Sequence, residues 1–321
     1  MLSQKSGKVM RVVMPFPSPE IESQIQQIDA SIEVITLGPY DPLPDNFAAD
    51  ALLAIGVDRS EQLTQILANP DLVRWIHVFG TGVDNFPLND LGDRLLTCSR
   101  GAHALPIAEW VMAMILGYEK RLPQSWVSAP PENWHSAELG QVSGKTLGLL
   151  GFGCIGSLVA ERALAFGMNI KALTRTGTGD WPDGVEPVDS FERLVADTDH
   201  LVLAAPATAA THHIINADSL HQCLEGVHIV NVARGSLINQ DALKEALDSG
   251  RVGGASLDVV DPEPLPDNHW LYAHPAVRLS PHISWSAPHM LEKLAEPFVN
   301  NVRSFLNGEP MHGVVDIKAG Y

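Results

Sequence analysis

The stretch LGLLGFGCIGSLVAERALAFGMNIKALTR, from Leu147 to Arg175, constrains the fold of this chain more than any other. An apolar segment runs into a G-x-G-x-x-G pattern, and a helical segment and a second apolar segment follow. We predict strands at Thr146–Leu150 and Asn169–Leu173, with a helix at Ile155–Phe166 between them. A strand, a glycine turn, a helix and a parallel strand form the unit that binds dinucleotides in doubly wound folds.

The three glycines of this pattern have separate roles. Gly151 permits the tight turn, Gly153 lets a pyrophosphate approach the backbone, and Gly156 lets the helix pack close to the strand. The first amides of the helix, at Cys154 and Ile155, then face the phosphates. The alternative, an ordinary glycine-rich turn, explains the flanking strand and helix less well.

The end of the second strand predicts which dinucleotide binds. NAD-binding units usually place an Asp or Glu there, on the ribose hydroxyls. This chain has Thr174, Arg175 and Thr176 instead, and the first acidic residue is Asp180. A guanidinium can pair with a 2′-phosphate through two donors, so we expect NADP(H) to be favoured and NAD(H) to remain possible. The alternative is that Arg175 is a solvated surface residue.

The rest of the chain alternates strand and helix signals, which is typical of parallel sheets with helices on both faces. A chain of 321 residues is long enough for two such domains. A final helix near His289–Asn307 is expected to pack on the first domain. Further strands are predicted at Arg11–Phe16, Ile32–Leu37, Ala51–Gly56, Trp75–Gly80, Leu201–Ala204, Val227–Val232, Ala255–Val259 and Val277–Leu279. Further helices are predicted at Ser60–Pro70, His103–Leu122, Phe191–Ala196 and Gln240–Ser249.

Composition excludes several classes of partner. The formal charge is -17, from 21 basic and 38 acidic residues, and nucleic acids and anionic membranes both require a basic surface. The most apolar stretch, Ala104–Tyr118, contains Glu109 and is shorter than the roughly 20 residues that span a bilayer. The three cysteines are widely spaced, which predicts a reducing, cytoplasmic setting. No histidine or cysteine spacing indicates a metal site.

Four residues that can carry chemistry follow predicted strands in the second half of the chain. Arg234 lies in VNVARG, Asp258 and Glu263 lie in LDVVDPEPLP, and His282 lies in LSPHIS. Ligands of parallel sheets bind outside the carboxyl ends of the strands. We therefore expect these side chains to converge near the cofactor, although each alone can be read as a surface or core residue.

These motifs, with GTGVD at Gly80–Asp84 and AAPAT at Ala204–Thr208, resemble those of the D-isomer-specific 2-hydroxyacid dehydrogenases, a family that includes glyoxylate/hydroxypyruvate reductases. The resemblance covers nearly the whole chain. It implies an α/β protein of two Rossmann-like, doubly wound parallel-sheet domains with a cleft between them. Residues 1–101 plus 289–321 are the expected substrate domain, and residues 102–288 the dinucleotide-binding domain. It also implies a homodimer.

The resemblance further implies a role for each site residue in the reduction of a small 2-keto acid to a D-2-hydroxy acid. Arg234 binds the substrate carboxylate and carbonyl, and the backbone amides of Thr81 and Gly82 take the other carboxylate oxygen. His282 beside the nicotinamide donates the proton, and Glu263 orients it. Ala205, Pro206 and Asp258 position the cofactor.

Two tryptophans leave the substrate open. The family usually has a small residue shortly after its PHI motif, whereas this chain has Trp285, which we assign to the substrate pocket. The ring either narrows the pocket toward glyoxylate or hydroxypyruvate, or stacks on a larger keto acid. Trp134 is similarly ambiguous. Two alternatives to the reductase are a dinucleotide-sensing, corepressor-like binding protein and a 3-phosphoglycerate dehydrogenase-like enzyme.

Overall fold

The computed structural model describes residues 9–55, 60–131, 134–177 and 181–321. The chain divides into two compact units. The first unit is Met1–His103 with Ala287–Tyr321, and the second unit is Ala104–Ser286. Gly56 and Asp180, on which two of the sequence expectations rest, lie outside the described residues.

Within the described residues, the first unit contains a five-stranded parallel sheet and three α-helices. The strands are β1 (Arg11–Met14), β2 (Glu33–Thr36), β3 (Ala49–Ile55), β4 (Val73–Phe79) and β5 (Leu95–Cys98), and the helices are α1 (Pro19–Ile28), α2 (Glu61–Ala68) and α8 (Met290–Asn307). The strand order is β2-β1-β3-β4-β5. Apolar clusters cover both faces of this sheet, and one of them includes Trp75 and Phe298.

The described part of the second unit contains a seven-stranded parallel sheet and five α-helices. The strands are β6 (Thr146–Leu150), β7 (Asn169–Leu173), β8 (Val185–Val188), β9 (His200–Leu203), β10 (Val227–Asn231), β11 (Val252–Leu257) and β12 (Val277–Leu279), and the helices are α3 (Ala104–Glu119), α4 (Cys154–Ala165), α5 (Phe191–Val195), α6 (Ala217–Gln222) and α7 (Gln240–Asp248). The strand order is β12-β11-β10-β9-β6-β7-β8. Consecutive residues point to opposite faces: Ile229 packs with the cluster under α5, α6 and α7, whereas Val230 packs with the cluster under α3 and α4.

The predicted fold class, two doubly wound parallel-sheet domains, is confirmed. Sequence patterns missed four short elements, namely α1, β5, α6 and β8. β8 is an edge strand that contains Pro187, and a proline breaks the strand signal because it cannot donate to a ladder. The predicted strand at Arg11–Phe16 ends at Met14, where Pro15 removes the next N–H.

A buried polar cluster lies near the amino-terminal ends of the strands in the second unit. Glu119 contacts Lys145 Nζ at 2.7 Å and His200 Nε2 at 3.1 Å. The Nδ1 atoms of His200 and His228 are 3.1 Å apart, and His228 Nε2 lies 3.0 Å from Ser256 Oγ. Neither imidazole is exposed to solvent. We call these five residues the buried histidine cluster.

Candidate active site

The residues predicted to form the site in the second unit all follow strands of its sheet. They come after β10 (Arg234), β11 (Asp258 and Glu263), β12 (His282), β6 (the glycine turn), β7 (Thr174 to Thr176) and β9 (Ala205 and Pro206). Since the strands are parallel, their carboxyl ends lie along one edge of the sheet. The strand order reverses between β6 and β9, and such switch points form ligand crevices in doubly wound sheets.

The glycine turn has the geometry that a dinucleotide phosphate requires. Gly151 has φ of 101°, and a Cβ there would lie 2.7 Å from the backbone of Ala204 and Ala205. At Gly153 a Cβ would enter open space, which leaves the backbone approachable. A Cβ at Gly156 would collide with the carbonyl of Gly151. The residues present therefore fit a pyrophosphate above the start of α4, next to the exposed Cys154 and to Ile155.

The end of β7 carries the three residues predicted to hold the ribose. Thr174 is half-buried, and its hydroxyl is buried with no hydrogen-bond partner among the described residues. Arg175 and Thr176 are exposed. A buried hydroxyl without a partner is destabilising, and a bound sugar or phosphate oxygen can satisfy it. This end of the strand therefore fits the adenosine side of a dinucleotide.

Glu263 and His282 form a hydrogen-bonded pair. His282 Nδ1 lies 2.8 Å from Glu263 Oε2, and the other carboxylate oxygen accepts a 3.0 Å bond from the backbone N–H of Val260. A carboxylate only accepts, so Nδ1 carries a proton and donates it to Glu263. Nε2 is then the ring nitrogen left to exchange a proton, and the side chain is 44% exposed.

The loop that carries His282 is held by Asp258. This carboxylate is 1% exposed and accepts from Ser280 Oγ at 2.5 Å and from the backbone N–H groups of Ile283 and Ser284, both at 2.9 Å. The N–H of His282 donates to the backbone carbonyl of the same aspartate at 2.9 Å. The cofactor role of Asp258 stays a prediction, and its observed contacts order the loop of His282.

Arg234 lies in a turn that is ordered by Asn231. The buried Asn231 amide donates to the carbonyl of Arg234 at 2.9 Å and accepts from the N–H of Ala233 at 3.0 Å. Gly235 follows, and a Cβ there would lie 2.5 Å from the backbone nitrogen of Asp261. The glycine thus lets the Arg234 turn pack against the segment that leads to Glu263.

Sequence reasoning missed the supporting residues of the site, Asn231 and Ser280 among them. Their only signal was a position next to a strand end. Thr81 and Gly82 follow β4 in the first unit, where Thr81 Oγ1 donates to the carbonyl of Ser99 at 3.2 Å, and their role in substrate binding stays a prediction. Trp285 is half-buried, and its indole N–H donates to the carbonyl of His282 at 2.8 Å.

Comparison with known proteins identifies the family. The model of the D-isomer specific 2-hydroxyacid dehydrogenase NAD binding domain matches residues 112–284. The chain belongs to the D-isomer specific 2-hydroxyacid dehydrogenase family. The match covers more than half of the chain and contains the glycine turn, Arg234, Glu263 and His282.

Relatives that are named for different activities are similar to this chain. It is 31% identical over 296 residues to a D-3-phosphoglycerate dehydrogenase of Bacillus subtilis, covering 90% of this chain but only 55% of that relative. It is 37% identical over 231 residues to a hydroxypyruvate reductase of Thermotoga maritima, covering 70% of this chain and 74% of that protein.

A solved structure matches the whole fold. It is an NADPH-dependent glyoxylate/hydroxypyruvate reductase of Sinorhizobium meliloti in complex with NADP and sulfate, at 26% identity and a TM-score of 0.82. The match covers 98% of this chain and 100% of that one.

Among the described residues, no group of three or more potential ligands can hold a metal ion, and no helix is long and apolar enough to cross a membrane.

Proposed function

We propose that this protein reduces a small 2-keto acid, of the glyoxylate or hydroxypyruvate type, to the D-2-hydroxy acid with NADPH. The observation that carries the proposal is the His282–Glu263 pair, at the same sheet edge as the glycine turn. A proton donor beside a dinucleotide site is what carbonyl reduction requires, because hydride addition leaves negative charge on the carbonyl oxygen.

The proton step follows from the hydrogen bonds of His282. When bound, the nicotinamide cofactor supplies the hydride. Protonated His282 donates from Nε2 to the developing alkoxide, while Nδ1 keeps its bond to Glu263. The carboxylate stabilises the imidazolium before transfer and holds the ring in one orientation. Such general acid catalysis typically contributes ~10²–10⁴-fold to the rate.

Substrate recognition is assigned to Arg234. Its planar guanidinium can offer two parallel donors to a carboxylate, which a lysine cannot match. The Asn231 bonds hold the backbone on both sides of this residue, which limits the reach of its side chain. The backbone amides of Thr81 and Gly82 are proposed to bind the other carboxylate oxygen.

The preference for NADPH is supported by the end of β7. Arg175 is exposed there, and no acidic residue occurs from Thr174 to Gly177 to repel a 2′-phosphate. The similar reductase of Sinorhizobium meliloti is described as NADPH-dependent. Arg175 is assigned to the phosphate, and the hydroxyls of Thr174 and Thr176 to neighbouring oxygens.

A substrate panel tests the reaction. Reduction of glyoxylate, hydroxypyruvate, pyruvate and phenylpyruvate is measured with NADPH and with NADH. We expect the highest kcat/KM for glyoxylate or hydroxypyruvate, with a D-configured product from hydroxypyruvate. His282→Gln is the matched control for background reduction. The proposal is contradicted if the protein turns over none of the four acids.

Arg175→Asp tests the choice of cofactor. Loss of the phosphate contact is expected to lower kcat/KM for NADPH by roughly 10- to 100-fold, because a bond to a charged group is worth about 1.5–3 kcal/mol. The value for NADH should hold or rise. Lys318→Asp makes the same charge change in the first unit and should leave the ratio unchanged. A wild type that favours NADH contradicts the assignment.

A second candidate reaction is the NAD-dependent oxidation of 3-phosphoglycerate, which the 31% identity to the Bacillus subtilis relative supports. The chain's formal charge of -17 disfavours a phosphorylated substrate. Oxidation of 3-phosphoglycerate at a kcat/KM above that for D-glycerate would favour this second reaction.

We also propose that the protein is a homodimer, which the exposed rings of Trp126 and Trp134 support. Light scattering should give about twice 34.7 kDa.

A further inference from the structure

We propose that Trp285 is a positioning residue that holds the backbone of His282 and thereby aims its imidazole. The inference rests on the proposed function, in which His282 is the proton donor. The position of Trp285 three residues after His282 in the sequence predicts that its ring lies in the substrate pocket. The contact at 2.8 Å from its indole N–H to the carbonyl of His282 gives it a different role.

The backbone of His282 is in a conformation that needs support. Its φ is 55°, in the left-handed region, and such a residue persists only where its surroundings stabilise it. The N–H of His282 donates to the carbonyls of Asp258 at 2.9 Å and Ser280 at 3.0 Å. These bonds hold one side of the residue.

Trp285 holds the other side of the same residue. The carbonyl of His282 accepts the indole N–H, while the ring packs against the apolar cluster that includes Val230 of β10 and the neighbouring Val232. A backbone carbonyl on an exposed loop is thereby tied to the packed core of the second unit. With Nδ1 bonded to Glu263, the N–H, the carbonyl and one ring nitrogen of His282 are all held.

This arrangement also limits what Trp285 does for the substrate. An indole has a single donor, and that donor is committed to His282. Trp285 therefore acts on the reaction through the orientation of Nε2, and its effect should be the same for small and large keto acids. A side chain that lined the substrate pocket would instead discriminate between small and large keto acids.

Two variants separate the N–H from the shape of the ring. Trp285→Phe removes the donor and part of the ring. Benzothienylalanine, incorporated at position 285 by codon suppression, keeps the bicyclic shape and replaces N–H by sulfur. The second variant decides the matter if the first does not fold. Thr198→Val is the matched control, because it removes one hydroxyl-to-carbonyl bond, 2.6 Å to Leu194, at the amino-terminal side of β9.

The kinetic readout is the split between kcat and KM. Both Trp285 variants should lower kcat for glyoxylate and phenylpyruvate by the same factor, roughly 10- to 100-fold, since ~1 Å of misplacement can cost ~10² in rate. KM should change little, and the control should match wild type. An effect confined to KM, or larger for one acid than for the other, overturns the proposal.

The second readout does not depend on turnover. In nitrogen-15 spectra of the free protein, the signal of His282 is assigned by its absence in His282→Gln. The neutral wild-type ring should carry its proton on Nδ1, and both Trp285 variants should move it toward the mixed tautomers of a free imidazole. If the wild type reduces no keto acid, the proposed function fails and this spectrum alone decides. An unchanged spectrum in both variants overturns the role of Trp285.

Discussion

The two edges of the sheet in the second unit each carry a histidine beside a glutamate, in opposite environments. At the amino-terminal edge, the side chains of His200 and Glu119 are 0% and 3% exposed. At the carboxyl edge, those of His282 and Glu263 are 44% and 37% exposed. The comparison shows that the residue pair alone does not define a proton donor, because solvent access and free ring nitrogens decide what the pair can do.

The buried histidine cluster is a connected network of polar side chains. Glu119 bridges Lys145 and His200, and His228 joins His200 to Ser256. The imidazole of His228 also stacks on the ring of Tyr118, with the ring centroids 4.2 Å apart. Burial lowers the pKa of His228 well below its usual value. Burial alone would raise the pKa of Glu119, but the bonds from His200 and Lys145 reverse this and lower it. The cluster is suited to stability, and the His282 pair to proton transfer.

The largest expected effect follows from breaking the exposed pair. His282→Gln should lower kcat/KM for keto-acid reduction by ~10²–10⁴-fold, because the proton donor is lost. The free energy of unfolding should stay within about 0.5 kcal/mol of wild type, as expected for an exposed side chain. Steady-state kinetics and urea denaturation measure the two quantities. A fully active variant would remove His282 from the mechanism.

Breaking the buried pair should have the opposite effect: it should lower stability and leave catalysis nearly unchanged. Glu119→Gln keeps the shape of the side chain but removes the charge that faces Lys145 and His200. The free energy of unfolding should fall by about 2 kcal/mol, in the range for bonds to a charged group. Urea denaturation measures this, and kcat/KM should stay within about twofold of wild type. A loss of catalysis as large as that of His282→Gln would contradict the division of roles.

Glu263→Gln removes the negative charge of the exposed pair but keeps the shape of the side chain. The amide can keep the bond from Val260 N–H but gives the imidazolium no counter-charge. In the proposed reaction His282 must be protonated, and the variant no longer stabilises that positive charge. At pH 7.5 we expect about a tenfold loss in kcat/KM, equivalent to ~1.4 kcal/mol. A pH–rate profile that coincides with wild type would exclude the counter-charge role.

The smallest effect concerns stability against pH. Burial lowers the pKa of His228, so as the pH falls this histidine takes up a proton in the unfolded chain before it does so in the folded protein. The stabilisation that comes from the neutral, buried imidazole is therefore complete above pH 6.5 and is lost as the pH falls, at up to ~1.4 kcal/mol per pH unit. His228→Phe should therefore flatten the dependence of the unfolding free energy between pH 7 and 5. An unaltered slope would mean that another group carries this dependence.

Local sequence patterns predicted much of the fold because its strands are buried and its glycines mark turns. The strand at Thr146–Leu150 has the predicted bounds, and α4 begins one residue before the predicted start, at Cys154. Short elements escaped, since four residues such as Leu95–Cys98 form a strand only by pairing with β4. Strand order was also out of reach, because it depends on pairing between distant segments.

The candidate site likewise has a part that the sequence predicted and a part that it did not. Chemistry and position after a strand singled out four residues, Asp258 among them, while the contacts that Asn231 and Asp258 make could not be read from local patterns. Both supporting residues are buried polar groups that must find partners. Which backbone groups become those partners is known only once the loops are folded.

The doubly wound parallel fold, the glycine turn and the family of the chain can be read from the sequence alone. Those properties depend on residue types at short spacings, which predict strands, turns and motifs. The folded chain was needed to show that Trp285 bonds to the backbone of His282, and that His200 is enclosed while His282 reaches solvent. These facts depend on burial and on contacts between segments far apart in the chain, which no local pattern encodes.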